Sequence, residues 1–376
     1  MQNSHSTSES LAPLGHKGFE AHTIFITGAA GYVGAMLVKK FAAREDVDRI
    51  VGLDKEPLPE MLEGEEKLVY VQMNTADAWE EKVQLYKPTV VIHAAWQIRE
   101  MYGNQKEEWR WNIDGSDKIF NFALGEPSVK RLIHFSTVAS YGAYSDNKVE
   151  WRFKEEDPFR KSDYLYAEEK RIAEEHLEQK VGAARKKGST LAVAVVRPAA
   201  VTGPRGRFMR IRFGLQSALS GQLKGSFIYR VISALVSFVP VTSKWLRQFV
   251  HEDDVVGIIE TLAFSVPKSD YEIFNLCPPG SVVRGGDMAK AVGKRALPVP
   301  PILVRVGFFV MWHATRGKVP TGRGAWKSYS YPIAVSGEKI TKEYGYHYQH
   351  SSLDAFYYTD GTYEEFVPEL SRRTKR

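Results

Sequence analysis

In the segment YLYAEEK, Tyr166 and Lys170 stand four residues apart, so on a helix both side chains point to one face. A phenol is a poor base at neutral pH, its ordinary pKa being ~10. A nearby ammonium favours the tyrosinate, and a close opposite charge shifts a pKa by roughly one to three units. Such a pair suits proton transfer to and from a hydroxyl, as in alcohol–ketone interconversion. Thr137, in FSTVASYG at the end of an apolar run, could hydrogen-bond the same substrate oxygen. Spacing alone decides little, because AEEKRIAEEH also reads as a solvated, charged helix.

A second constellation lies near the N-terminus. TGAAGYVG places Gly28, Gly31 and Gly34 between an apolar run and the helical pattern AMLVKKFAAR. Glycines at such a turn let a pyrophosphate approach the backbone at the positive end of a helix. Asp54 closes the next apolar run about twenty residues after Gly34. Its carboxylate suits ribose hydroxyls and would repel a 2′-phosphate, which favours NAD over NADP. HAAW (His93–Trp96) ends another run with small residues, and Asn112 in WNIDGS opens a helical stretch. Both would be delivered to the same crevice.

Those residues need elements to hold them. The runs TIFIT, RIVGLD, LVYVQM, TVVIHAA, RLIHFST and LAVAVVR alternate with helical patterns. Their near-continuous apolar character marks strands covered on both faces. The expected fold is α/β, a doubly wound (Rossmann-type) parallel sheet with a smaller C-terminal substrate lobe. Residues 1–21 read as a flexible tail and 22–202 as the NAD-binding unit. The chain returns to it at about 248–277, through YEIFNL, and residues 203–247 and 278–376 form the substrate lobe.

Composition narrows the classes. With 43% hydrophobic and 26% charged residues, the 376-residue chain is an ordinary globular protein, not a disordered one. A single cysteine, Cys277, excludes an internal disulfide and a cysteine-based metal site, and no metal is expected. No apolar run reaches the roughly 18–20 residues of a membrane span, and the polar N-terminus lacks a signal-peptide core, so a cytoplasmic location is expected. Residues 1–200 hold 27 Lys and Arg against 31 Asp and Glu, whereas 201–376 hold 24 against 14. The basic half could meet an anionic small molecule or a membrane surface; no nucleic-acid signature accompanies it. Its densest part is GPRGRFMRIRFG, with Arg205, Arg207, Arg210 and Arg212.

Taken in order, TGAAGYVG, Asp54, HAA, Asn112, FSTVASYG, YAEEK, RPAAVTGP and FVHEDD resemble the NAD-dependent epimerase/dehydratase family of extended short-chain dehydrogenases/reductases. The likeness covers roughly Ile24 to Leu276. It implies Thr137, Tyr166 and Lys170 as the catalytic triad, with Lys170 also holding the nicotinamide ribose. It places Gly28, Gly31, Tyr32 and Val33 at the pyrophosphate, Asp54 at the adenosine ribose, and Asn74 and Thr75 at adenine. Ala94, Ala95, Trp96, Asn112 and Pro198 would line the cofactor, and Gln97, Val138, Arg205 and Arg247 the substrate. Val138 and Ala139 stand where sugar dehydratases carry acidic residues, so dehydration is not expected. Ala200 replaces an Asn that often touches a sugar nucleotide, whereas Arg247 matches an Arg on the substrate diphosphate.

The resulting expectation is an NAD-dependent oxidoreductase or epimerase acting on a secondary alcohol of an anionic small molecule, a nucleotide sugar above all. Two alternatives stay open: a dehydrogenase of a hydrophobic alcohol such as a sterol or terpenoid, and a non-catalytic NAD sensor. Two apolar stretches, Val231–Val241 and Ile302–Trp312, read as core helices of the substrate lobe, or as an apolar pocket or membrane-surface contact. By resemblance the protein is a homodimer, paired through Glu107–Ala123 and Tyr164–Gln179.

Overall fold

The computed structural model describes residues 21–206, 238–291, 295–357 and 360–367. Most of the N-terminal tail, Arg207, Arg210, Arg212 and most of the Val231–Val241 stretch lie outside the described residues.

Seven strands form one parallel sheet: β1 (His22–Thr27), β2 (Val47–Asp54), β3 (Leu68–Gln72), β4 (Val90–His93), β5 (Arg131–Phe135), β6 (Ala192–Pro198) and β7 (Tyr271–Leu276). Their order is β7-β6-β5-β4-β1-β2-β3. YEIFNL does return to the sheet, pairing Tyr271 with Val193 through to Leu276 with Pro198. After β3 the chain crosses to the other side of β1, which opens a crevice between the C-terminal ends of β1 and β4. Open parallel sheets bind ligands at such a switch point.

Alternate residues of each strand feed opposite cores, as a period of two requires. Ile24 and Ile26 join Met36, Leu37 and Phe41 of α1 (Tyr32–Ala42) and residues such as Ile258 on one face, whereas Phe25 joins Phe120 and Leu177 on the other. Two helices cover that second face. One, α2, runs Gln105–Trp109, widens into a π turn over Arg110–Asp114 and resumes as Gly115–Gly125. The other, α3, spans Leu165–Arg185. On the first face, α4 (Glu252–Phe264) carries Ile258 and packs beside α1.

Beyond β7 lies α5 (Pro301–Ala314), containing the second apolar stretch. It is not a core helix: Ile302, Leu303, Val306, Phe309 and Val310 are all exposed, and Trp312 alone is buried. Among the described residues no helix is long and apolar enough to cross a membrane.

One buried ion pair ties α3 to the sheet. The Arg197 guanidinium, on β6, donates to both oxygens of Glu174 on α3, and also to the Tyr141 hydroxyl at 2.6 Å and the Glu155 carbonyl at 3.1 Å. Arg197 and Glu174 are 5% and 6% exposed, so removing one leaves its partner charged and dry. Breaking such a pair costs about 3–5 kcal/mol. Glu174→Ala should therefore lower the unfolding free energy by that amount in urea titrations, whereas Lys342→Ala, at an exposed pair with Glu338, should leave the midpoint unchanged.

Candidate active site

The switch-point crevice is built by close backbone approach. Gly28 has φ +74°, and a Cβ on it would lie 2.7 Å from the backbone N of Ala95, so only glycine fits between β1 and the loop after β4. A Cβ on Gly34 would stand 2.0 Å from the Gly28 carbonyl oxygen, which explains the third glycine as packing between helix and loop. Gly31 caps α1, and its N–H donates to the Gly28 carbonyl at 2.9 Å. Tyr32 and Val33 form the first turn beyond that cap, where the positive helix end meets the loop. The Tyr32 hydroxyl donates to Glu252 at the start of α4.

At the end of β2, Asp54 accepts from the N–H of Ala30 and from that of Glu56, both at 3.0 Å. Its carboxylate thus reaches across to the glycine loop. Burial nevertheless raises its pKa, and these two hydrogen bonds oppose the rise. Beside it a cleft of about 400 Å³ is lined by Lys55, Gln72, Met73, Asn74, Asp77 and Trp111. Asn74 closes a tight turn by accepting from the Ala76 N–H at 2.9 Å. Thr75 behaves differently from the expectation: it is buried against α2, its hydroxyl directed at the Trp111 carbonyl 3.4 Å away.

The π turn of α2 puts Asn112 at a crossing point. Its side-chain oxygen accepts from the Gln97 N–H at 2.7 Å. Its amide donates to the Gln97 carbonyl at 3.1 Å and to Glu169 at 2.7 Å. Asn112 is 1% exposed and so clamps the loop Ala94–Gln97 to α3 from inside. The Gln97 side chain turns along its own loop, donating to the Arg99 carbonyl at 2.9 Å.

Thr137, Tyr166 and Lys170 converge at the mouth of this crevice. Thr137 caps the turn Val138–Tyr141 by accepting from the Ala139 N–H at 3.2 Å. In the same turn Ser140 donates to the Ala167 carbonyl at 3.0 Å, fixing it to the first turn of α3. The Thr137 hydroxyl is near enough to the Tyr166 phenol to favour its ionised form. Lys170 is 3% exposed, donates to the Phe135 carbonyl and places its ammonium 3.6 Å from the Trp96 ring centroid. Val138 is half-buried and Pro198, ending β6, is buried.

The electrostatics correct one expectation. The Tyr166 phenol is pushed up, not down: burial dominates, and the hydrogen bond with Thr137 only opposes it. Burial also drives Lys170 well below the ordinary lysine range, against Glu174 and Glu169. A lysine that burial drives towards its neutral amine supplies little charge to draw the phenol to its anion.

Two expected substrate residues part company. Arg205 is buried, and its guanidinium donates to the Tyr32 carbonyl at 2.8 Å while its own N–H donates to Glu252. It braces the start of α1 and does not face the substrate. Arg247 is half-buried, donates to the Ser328 carbonyl at 2.7 Å and acts electrostatically on Tyr164, two residues before Tyr166. A second cleft of about 590 Å³, which Arg247 does not line, is bounded by Tyr144, Ser162 and Leu165, by Lys161, Arg323 and Lys327, and by Glu100, Asp163 and Glu168.

The cradle at Gly28 and Ala95 and the cleft beside Asp54 suit a dinucleotide. In addition, the Trp96 indole N–H is buried with no partner among the described residues, a donor that a bound group would satisfy. The model of the NAD dependent epimerase/dehydratase family matches residues 24–277. The chain belongs to that family.

As an NAD-dependent epimerase/dehydratase, the chain has relatives with quite different substrates. It is 24% identical over 272 residues to the 3β-hydroxysteroid dehydrogenase/Δ5→4-isomerase of vaccinia virus (strain Ankara), covering 67% of this chain and 74% of that protein. Among solved structures it resembles WbmG of Bordetella bronchiseptica in complex with NAD and UDP, at 20% identity and TM-score 0.63, over 92% of this chain and 93% of that one. It also resembles the UDP-glucose 4-epimerase of Thermus thermophilus in complex with NAD, at 19% identity and TM-score 0.60, over 89% and 96%.

Sequence reasoning missed the buried carboxylates behind the triad. Glu169 and Glu108 are each 1% exposed, and Glu252 is fully buried beneath the glycine loop. The one available signal was Glu174, spaced four residues from Lys170 on the same helix face. Burial raises the Glu169 carboxyl to about 7, with Glu100 adding to the rise and the Asn112 hydrogen bond and Lys170 opposing it. A raised carboxyl pKa stabilises the fold below the ordinary value of 4.5, and that contribution is lost as pH rises through about 7. Glu169→Gln keeps the acceptor for Asn112 but removes the titration. Melting curves from pH 4.5 to 8 should show the native protein losing stability relative to this variant; parallel profiles would remove Glu169 as the cause.

Proposed function

We propose that this enzyme oxidises a secondary alcohol of a nucleoside-diphosphate sugar and returns the hydride as an epimerase does. One observation carries the chemistry: Lys170, buried one helical turn beyond Tyr166, donates to the Phe135 carbonyl and lies 3.6 Å from the Trp96 ring centroid, with the Thr137 hydroxyl near enough to act on the Tyr166 phenol. As the phenolate, Tyr166 Oη takes the proton of the alcohol, and Thr137 holds the reacting oxygen against it. The phenol so formed, the form that burial favours, returns that same proton when the ketone is reduced. NAD, when bound, accepts and returns the hydride. Lys170 and Trp96 position the nicotinamide end, Gly28, Gly31 and the first turn of α1 the pyrophosphate, and Asp54 the adenosine ribose. The unit 22–202 with β7 carries these groups, and the remaining lobe carries the substrate.

The substrate class is supported by Arg247 and by Lys161, Arg323 and Lys327 at the second cleft, cations that suit a diphosphate although Glu100, Asp163 and Glu168 share its lining. The Bordetella neighbour, crystallised with NAD and UDP, points the same way. A hydrophobic alcohol is the second reading, favoured by the vaccinia relative. We further assign a cytoplasmic homodimer, paired through α2 and α3.

Tyr166→Phe removes only the phenolic oxygen, so NAD binding should survive while turnover of a UDP-sugar falls by roughly 10²–10⁴-fold. A Phe variant retaining most of its activity would overturn the assignment. Arg247→Ala should weaken UDP at least tenfold, about 1.4 kcal/mol, and rising salt should weaken it further. UDP binding indifferent to both would leave the hydrophobic alcohol as the better reading.

A further inference from the structure

A helix that is apolar all round belongs in a core, yet α5 is covered on one side only. Val304, Phe308, Met311 and Trp312 turn inward to varying degrees. Ile302, Leu303, Val306, Phe309 and Val310 are 52–65% exposed. At about 100° per residue these five fall within one stripe of the helix. The stripe continues onto Leu297, just before the helix, which is 45% exposed. Contiguous apolar surface of this kind marks an interaction site.

Charge says what covers it. Residues 288–337 contain eight Lys and Arg and no Asp or Glu. Arg295, Arg305, Arg316, Lys318 and Arg323 flank α5, are exposed, and among the described residues form no ion pair. A protein partner matched to an apolar stripe needs no such uniform sign. A sheet of anionic headgroups over hydrocarbon does, since apolar side chains enter the acyl boundary while cations meet the phosphates. With 14 residues α5 is too short to cross and suited to lie in the interface plane.

We propose that α5, with Arg305 on it and the exposed cations Arg295, Arg316, Lys318 and Arg323 around it, seats this protein on the surface of an anionic phospholipid bilayer. The contact reaches the active site through two aromatic residues. Tyr102, on the loop that follows Trp96 and Gln97, packs its ring 5.4 Å from Trp312 and pairs its hydroxyl with His313 at 3.2 Å. Ile98 on that loop is also exposed. A bilayer under α5 would thus lie beside the loop that carries Trp96.

The test uses the full chain in vesicle co-sedimentation, with phosphatidylcholine alone or with about a third phosphatidylserine. Binding should be at least tenfold tighter to the anionic vesicles and should weaken at 0.5 M salt, where the screening length is roughly half that at 0.1 M. The double variant Val306→Glu/Phe309→Glu should lose at least tenfold of that binding while keeping the native melting temperature and NAD affinity. Arg305→Ala/Lys318→Ala, which leaves the apolar stripe intact, should lose part of it. Equal affinity for neutral and anionic vesicles, or unchanged binding by the double Glu variant, would overturn the proposal. So would a drop in the native mass of the double Glu variant without vesicles, which would make the stripe a contact between copies of this chain.

Discussion

The burial of Lys170 is the constraint to which the rest of the site answers. Burial disfavours its ammonium, and any charge kept there costs several kcal/mol unless polar groups replace its hydration. Here the replacements come from separate parts of the fold: the Phe135 carbonyl from β5, the Trp96 ring from the loop after β4, and Glu169 and Glu174 from α3 itself. None of these can shift alone. Glu174 is shared with Arg197 on β6, so the charge balance of the site and the attachment of α3 to the sheet are one system. Asn112 closes the arrangement by holding the Trp96 loop and Glu169 together.

Much of this was legible in the residues. Six near-continuous apolar runs became β1 to β6, because strands covered on both faces leave no room for alternation. The glycine spacing was legible too, since Gly28 and Gly34 are demanded by clearances that any Cβ would violate. Thr137, Tyr166 and Lys170 were legible as residue types. Their electrostatics were not, because the direction of a pKa shift depends on burial, which four-residue spacing does not report. For the same reason AEEKRIAEEH looked solvated: whether a glutamate faces water or Asn112 depends on which stripe of the helix meets the sheet. Arg205 misled for a related reason, as a dense basic run says nothing about which cation turns inward.

The apolar stretch in the C-terminal lobe shows the opposite limit. Hydrophobicity there forecast burial, and the structure supplies a covered face for only one side of α5. The outward side leaves Ile302, Leu303, Val306, Phe309 and Val310 exposed. Its basic flanks repeat the charge asymmetry already visible between the two halves of the chain.

The π turn at Arg110–Asp114 makes α2 a helix with two phases. One residue more than a regular turn is accommodated there, so the segment before it is rotated by about 100° relative to the segment after it. Glu108 faces inward in one phase, and Ser116 meets His93 in the other. A one-residue deletion between them would let the turn close to ordinary geometry and keep every helical hydrogen bond. It would leave Glu108 and Ser116 facing as they do now, because the wide turn is what absorbs the extra residue, and would change the direction of Asn112 alone, which sits on that turn. The helix and its flanking contacts would survive and the Asn112 clamp would not, so the extra residue serves the clamp and not the helix.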